Sequence, residues 1–136
     1  QIEAFQHVFL ATEEKNQPRV RPVTLIKCDE KFWITTDTWS EKVKQLQKNP
    51  KVELAFTFKK ADEDCCMRVT GLAKVIKNKK IRTKIAKHCH FFKEHWKNVD
   101  DPNYTLIEFQ QSEITYVSTH ETTHIKIKPT IQKNST

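Results

Sequence analysis

Three side chains with anion-binding chemistry lie in the first third of the chain, namely Arg21, Ser40 and Lys42. Ser40 begins a predicted helix, Ser40–Asn49, which ends at Pro50. The first turn of a helix has free backbone N–H groups and the positive end of the helix dipole. A lysine there opposes the dipole, and a bound anion would offset the repulsion. These residues predict an anion site, with an ordinary N-cap followed by surface lysines as the alternative interpretation.

The sequence excludes the common phosphate-binding loops. It contains one glycine, Gly71, whereas the dinucleotide loop GxGxxG and the phosphate loop GxxxxGK[ST] each need at least two. A phosphorylated ligand would therefore be held by side chains and by the helix end that Ser40 begins. Arg21 suits this role because a guanidinium binds two oxygens of one phosphate.

The elements that would position these residues are mostly strands. Ile2–Gln6 is expected to end a short helix, and Gly71 is expected to mark a bulge or a close approach of two backbones. The amphipathic segment Asn78–Trp96 predicts a second helix. The predicted strands alternate or are rich in β-branched residues, and they are His7–Thr12, Arg19–Lys27, Phe32–Thr36, Val52–Phe58, Cys65–Lys77, Tyr104–Phe109, Ile114–Ser118 and Thr123–Lys128.

Length and composition predict one domain over residues 1–128 and a disordered tail over residues 129–136. No run of about 18 apolar residues is present, so we expect no membrane-spanning helix. No signal peptide is evident, although the chain begins with Gln1 rather than Met. The four cysteines form no CxxC motif and are expected to be reduced thiols, which predicts a cytoplasmic protein.

Charge leaves a second class of partner open. The net charge of +7 is compatible with a nucleic-acid partner, and a strong dependence of affinity on salt would identify one. The excess lysines are also ordinary solvated surface, and no nucleic-acid-binding motif accompanies them. His88, Cys89 and His90 are about 100° apart on the predicted helix, so we expect no metal site there.

The order of the motifs resembles the pyridoxamine 5′-phosphate oxidase-like family of FMN-binding split β-barrels, and most closely its small general-stress-protein type. The matching pieces are RPVTLI, FWITTD, SEKVKQLQKNPKVELAF and MRVTGLAKVI, in this order from about Phe9 to Ile76. The Asp101-Pro102 pair before a strand also fits. The resemblance implies a mainly β fold, an antiparallel barrel of six to eight strands with flanking helices.

The same resemblance implies FMN as cofactor and a homodimer with the flavin at the subunit interface. Arg21 and Lys42 would bind the phosphate with help from Ser40. The remaining implied contacts are Pro22 and Val23 along the ring edge, Thr35 and Thr36 near the ribityl chain and phosphate, Cys66 at the ring, and Trp96 reaching the flavin from the second subunit.

Two departures from the oxidases narrow the expected function. Glu41 replaces the arginine that the oxidases carry after the helix-opening serine, and the Arg-x-His substrate motif is absent. We therefore expect an FMN-dependent oxidoreductase with a small-molecule electron donor, and not a true pyridoxamine phosphate oxidase. No catalytic acid or base is assigned, since a flavin carries the redox chemistry itself. The alternative is a flavin- or haem-binding sensor module without turnover.

Overall fold

The computed structural model describes residues 4–127. It contains seven strands and three helices, in an order in which helices separate three groups of strands. The elements are β1 Phe5–Glu14, β2 Gln17–Cys28, β3 Lys31–Asp37, α1 Glu41–Lys48, β4 Lys51–Lys60, β5 Glu63–Ile76, α2 Lys79–His88, α3 Phe92–His95, β6 Tyr104–Val117 and β7 Thr122–Lys126.

Three tight hairpins connect β1 to β2, β2 to β3 and β4 to β5. Each has two consecutive residues with positive φ, as a type I′ turn requires, and the pairs are Lys15 with Asn16, Asp29 with Glu30, and Ala61 with Asp62. None of these positions is glycine. Each pair contains an Asn or Asp, the residues other than glycine that adopt left-handed backbone most readily, namely Asn16, Asp29 and Asp62.

The strands form one antiparallel sheet that closes on itself. The order is β3-β2-β1-β4-β5-β6-β7, and an additional pairing of β3 with β6 closes the first six strands into a barrel. The first half of β6 pairs with β3, and its second half pairs with β7, which lies outside the closed barrel. The mainly β, antiparallel split-barrel fold expected from the sequence is confirmed.

Gly71 is required by the close approach of two strands. The register between β5 and β6 shifts between Thr70 and Gly71, so the predicted bulge is present. A Cβ atom at position 71 would clash with the Gln110 carbonyl oxygen and would lie 2.8 Å from Cζ of Phe109. Its φ is not positive, so steric space rather than backbone freedom explains the glycine.

Two groups of buried side chains divide the interior. The barrel cluster is built mainly from β1, β4, β5 and β6, and Leu46 of α1 packs into it. The helix cluster lies where α2 and α3 pack on the other side of β3 and β6, and it includes Ile85, Cys89, Phe92 and Trp96. The amphipathic stripe predicted for the second helix is thus buried as expected.

Three predicted boundaries are wrong. Phe5 and Gln6 belong to β1 rather than to a helix, because their backbone pairs with β2. The helix predicted over Asn78–Trp96 breaks at Cys89, whose backbone is extended, and α3 then packs Phe92 against Tyr104. The two strands predicted between Tyr104 and Ser118 form one strand, β6, because its polar middle stays paired with β5. The predicted disordered tail lies outside the described residues.

Candidate functional site

α1 packs against β1 and β5, and its Gln45 contacts Arg21 of β2. Val43, Gln45 and Leu46 face the interior, as the spacing of Val43 and Leu46 predicts. Ser40 has the extended backbone of an N-cap, but its hydroxyl makes no capping hydrogen bond. The Oγ atom of Ser40 is buried and has no hydrogen-bond partner among the described residues. A buried hydroxyl without a partner is costly, so this atom is suited to receive a ligand.

Arg21 points inward from β2 toward α1, because it pairs in register with the buried Leu10. Its Nη1 donates to the Leu10 carbonyl oxygen at 3.2 Å and to Thr12 Oγ1 at 2.8 Å. Its Nη2 donates to Gln45 Oε1 at 2.6 Å. Burial lowers the pKa of Arg21, and the charge of Glu41 opposes that shift. The guanidinium is therefore half-buried and held at one edge by protein acceptors.

Lys42 lies beside Arg21 in the first turn of α1. Burial lowers the pKa of Lys42, and the neighbouring positive charge of Arg21 lowers it further, while Asp37 acts in the opposite direction. Within residues 4–127 no hydrogen bond or ion pair engages its ammonium group. Arg21 and Lys42 are thus two partly desolvated cations that repel each other. A bound anion would offset this repulsion, so the pair predicts an anion-binding site.

These features fit the phosphate group of FMN. The donors are one guanidinium, one ammonium, the unpaired hydroxyl of Ser40 and the free backbone N–H groups of the α1 N-terminus. A phosphate has three strongly accepting oxygens and about two negative charges at neutral pH. It would offset the repulsion between the cations and give the buried hydroxyl a partner.

The other predicted contacts on β2 and β5 are distributed over two faces. Pro22 is exposed on the outer face of the barrel, opposite Phe9 in register. Val23, the next residue, packs inward against the barrel cluster. Cys66 lies on β5, pairs in register with Thr57 of β4 and is half-buried, while its neighbour Cys65 is buried. Alternation along a strand therefore separates Pro22 from Val23.

Alternation also separates the two threonines of β3. Thr36 lies on the same face of the strand as Ile34, which belongs to the barrel cluster. Thr35 lies on the opposite face, where its hydroxyl is a neighbour of the Cys89 thiol. The structure therefore brings Arg21, Ser40 and Lys42 together and places Thr35 elsewhere.

Trp96 lies in the helix cluster of its own chain. The residue is 4% exposed. Its indole N–H donates to Asp37 Oδ1 at 3.1 Å and to the Asn103 carbonyl oxygen at 3.0 Å. Within its own chain Trp96 is a packed core residue, and its contact with a flavin of a second subunit stays a prediction.

Sequence reasoning missed Thr12, Gln45 and Trp39. Thr12 and Gln45 are both buried, and the Thr12 hydroxyl donates to Gln45 Oε1 at 2.6 Å. A glutamine between Val43 and Leu46 on the buried face of α1 is a signal, because an unpaired amide in a core is unfavourable. Trp39 is 73% exposed directly before Ser40.

A separate cavity of about 320 Å³ lies between α2 and β6. Arg82 lies 4.2 Å from the Tyr104 ring centroid and donates to the Val99 carbonyl oxygen at 2.9 Å. The Tyr104 hydroxyl donates to the Arg82 carbonyl oxygen, and burial raises the pKa of Tyr104 to about 12. Lys79 pairs with Asp100 at the rim. Arg82, Tyr104 and Lys79 therefore have partners within the chain. The Ser40 hydroxyl, by contrast, has none among the described residues.

Two further structural tests concern membranes and metals. Of the helices in the described part of the chain, none has the length and apolar character needed to cross a bilayer. Across residues 4–127, no cluster of three or more His, Cys, Asp or Glu side chains is arranged to hold a metal ion.

Solved structures show where this fold recurs. A NimC/NimA family protein from Clostridium acetobutylicum is 27% identical, with a TM-score of 0.77, and the match covers 89% of this chain and 83% of that one. A protein from the same organism, related to general stress protein 26 of B. subtilis, is 22% identical over 89% and 85%, with a TM-score of 0.74. A pyridoxamine 5′-phosphate oxidase-related, FMN-binding protein from Nostoc punctiforme is 16% identical over 90% and 88%, with a TM-score of 0.69.

A comparison with curated proteins gives no match. The sequence profile described as pyridoxamine 5′-phosphate oxidase matches residues 1–118, which is most of the chain and includes every predicted site residue. The same residues include the barrel that β3 and β6 close and the basic site at α1. The protein therefore belongs to the pyridoxamine 5′-phosphate oxidase family.

Proposed function

We propose that this protein is an FMN-binding flavoprotein that acts as an oxidoreductase. The observation that carries the proposal is that Lys42 lies beside Arg21 next to Ser40, whose hydroxyl has no hydrogen-bond partner among residues 4–127. These groups would hold the phosphate of FMN. The FMN-binding protein from Nostoc punctiforme with the same fold supports this assignment. When bound, the flavin would supply the redox chemistry, namely acceptance of a hydride from a donor such as a reduced pyridine nucleotide.

The protein's contribution would be binding and electrostatics. Arg21 and Lys42 would neutralise the phosphate, and the α1 N-terminus would add backbone N–H donors. No acid or base is assigned a proton-transfer step. The substrate is not pyridoxamine 5′-phosphate, because the chain lacks the substrate motif of the oxidases and carries Glu41 at the position of one of their arginines.

A homodimer that covers the outer face of β1 and β2 is part of this proposal. Phe9 and Val20 are 54% and 68% exposed, and Pro22 is exposed opposite Phe9 in register. Such a contiguous apolar surface favours association. Phe9→Glu is expected to convert a dimer into a monomer in light scattering and to weaken FMN binding at the interface. A wild-type monomer that binds FMN equally well would contradict this assembly.

A cytoplasmic location is also proposed. All four cysteines are free thiols, including the adjacent Cys65 and Cys66, which fits a reducing compartment.

The test of FMN binding is titration of the purified apoprotein with FMN and riboflavin, followed by flavin fluorescence and thermal shift. FMN is expected to bind more tightly, because riboflavin lacks the phosphate. Arg21→Ala is expected to weaken FMN and to leave riboflavin nearly unchanged. The absence of any response to FMN would refute the proposal, and equal losses for both ligands would refute the phosphate assignment.

A second candidate is a flavin- or haem-binding module without turnover. Glu41 favours it, because its negative charge acts on Arg21 and weakens the basic site relative to that of the oxidases. The visible spectrum after incubation with each cofactor identifies which one binds. Anaerobic addition of NADH or NADPH then separates the candidates, since rapid bleaching of bound FMN supports the oxidoreductase and a stable oxidised flavin supports the module.

A further inference from the structure

Gln45 links the interior of α1 to the guanidinium of Arg21. The residue is 2% exposed, and its Oε1 accepts hydrogen bonds from Thr12 Oγ1 and from Arg21 Nη2, each at 2.6 Å. Reversing the amide would place its NH₂ group against two donors, so these partners fix its orientation. Its Nε2 is buried and has no partner in the described part of the chain.

Among residues 4–127, the hydrogen bonds of Arg21 leave one edge of its guanidinium unused. An arginine has five N–H donors, two on each Nη atom and one on Nε. Both N–H groups of Nη1 are directed to the Leu10 carbonyl oxygen and Thr12 Oγ1, and one of Nη2 is directed to Gln45 Oε1. Thr12 and Gln45 together therefore occupy the edge formed by Nη1 and Nη2. The edge formed by Nε and the second N–H of Nη2 remains for a ligand.

We propose that Gln45 and Thr12 are positioning residues that reserve this Nε/Nη2 edge of Arg21 for a phosphate, and thereby make the site select phosphorylated flavin over riboflavin. The inference rests on the proposed FMN binding, which it deepens by naming what sets the ligand preference. Two parallel N–H donors on one guanidinium edge match two oxygens of a phosphate.

The physical benefit is preorganisation. An arginine side chain without fixed partners loses rotamer freedom when it binds a ligand, and this loss weakens binding. Arg21 is held by three acceptors before a ligand arrives, so it loses less freedom. Without Gln45, the guanidinium is also free to turn toward Glu41, whose charge already acts on it. Both effects concern the phosphate alone, which is why the ligand preference is the quantity to measure.

Gln45→Met removes the amide while keeping a side chain of similar length and volume, and it is the first test variant. We expect it to weaken FMN binding about 5- to 10-fold, with riboflavin changed less than twofold. Gln47→Met is the matched control, because Gln47 is an exposed glutamine on the same helix. Urea unfolding of each variant checks that it is folded before titration.

The decisive measurement is the same substitution in an Arg21→Met background. If Gln45 acts through Arg21, Gln45→Met has no further effect on FMN affinity once the guanidinium is absent. Thr12→Val tests the second positioning residue independently, should Gln45→Met fail to fold. Thr12→Ser keeps the hydroxyl and is expected to restore the FMN preference.

The outcomes separate this inference from the proposed function. Selective loss of FMN affinity that vanishes in the Arg21→Met background supports the inference. Equal weakening of both flavins, or a loss that persists in that background, overturns it while FMN binding by the wild-type protein stands. A wild-type protein that binds no flavin, or binds both equally, overturns the phosphate site and the inference with it.

Discussion

The α1 end and the α2–α3 end of the molecule hold their charged side chains differently. At the α2–α3 end, the indole N–H of Trp96 has two acceptors, and Arg82 is held by the Tyr104 ring and the Val99 carbonyl oxygen. Two buried oxygen atoms there, Asn103 Oδ1 and Thr35 Oγ1, lack partners in the described chain. At the α1 end, Lys42 repels Arg21, and Ser40 Oγ and Gln45 Nε2 lack partners in the described chain. The difference therefore concerns the cations: Arg82 has partners within the chain, whereas the Lys42 ammonium lies beside Arg21 with no partner among residues 4–127.

The largest expected effect tests the stability of the α2–α3 end. Trp96→Ala should lower the free energy of unfolding by about 3–5 kcal/mol, because it leaves a cavity and two acceptors without their donor. Trp39→Ala is the control, since that indole is 73% exposed, and it should change the same quantity by about 0.5 kcal/mol or less. Urea unfolding of the apoprotein measures both. Similar losses for the two tryptophans would contradict the comparison.

The next effect tests whether the α1 end sacrifices stability for binding. Lys42→Met should weaken FMN by about 10- to 100-fold, equivalent to about 1.5–3 kcal/mol, because a charged hydrogen bond to the phosphate is lost. The same variant should stabilise the apoprotein by about 0.5–1 kcal/mol, since a partly buried cation beside Arg21 is removed. Lys44→Met, at an exposed position of α1, is the control. A destabilised apoprotein with unchanged FMN affinity would reverse the assignment.

A smaller effect concerns pH. The pKa of Lys42 is lower in the folded apoprotein than in the unfolded chain. At pH values between these two pKa values, the unfolded chain therefore binds more protons than the folded protein does. Apoprotein stability should therefore rise with pH across this window. The ratio of FMN to riboflavin affinity should fall across it, because the phosphate requires the charged ammonium. Lys42→Met should flatten both profiles, and unchanged profiles in that variant would show that another group titrates.

The smallest effect is expected from Glu41. Its carboxylate acts on Arg21 from an exposed position and competes electrostatically with a phosphate. Glu41→Gln should strengthen FMN binding by about 0.2–1 kcal/mol, or roughly 1.5- to 5-fold, with riboflavin unchanged. The gain should shrink at high salt. Weaker FMN binding in Glu41→Gln would show that this carboxylate supports Arg21 instead of competing with the ligand.

Patterns along the chain predicted the fold well where periodicity is strong. Alternation identified the strands, and the spacing of Val43 and Leu46 identified the buried face of α1. The single glycine correctly predicted a bulge. The break at Cys89 was not predictable, because the stripe that contains Phe92 and Trp96 continues through it and only the packing of α3 against Tyr104 ends the helix. The resemblance predicted a flavin contact for Trp96 but did not predict its burial in the helix cluster of its own chain.

The sequence by itself determined that Arg21 lies on a strand and that Ser40 and Lys42 lie at a helix N-terminus, because local patterns set local structure. It also determined that no glycine-rich loop holds a phosphate. Only the tertiary structure decided which donors of Arg21 are already engaged, since Thr12, Arg21 and Gln45 lie on β1, β2 and α1, which strand pairing and the packing of α1 against β1 bring together. Hydrogen bonds between distant segments depend on register and burial, and neither is fixed by neighbouring residues in the chain.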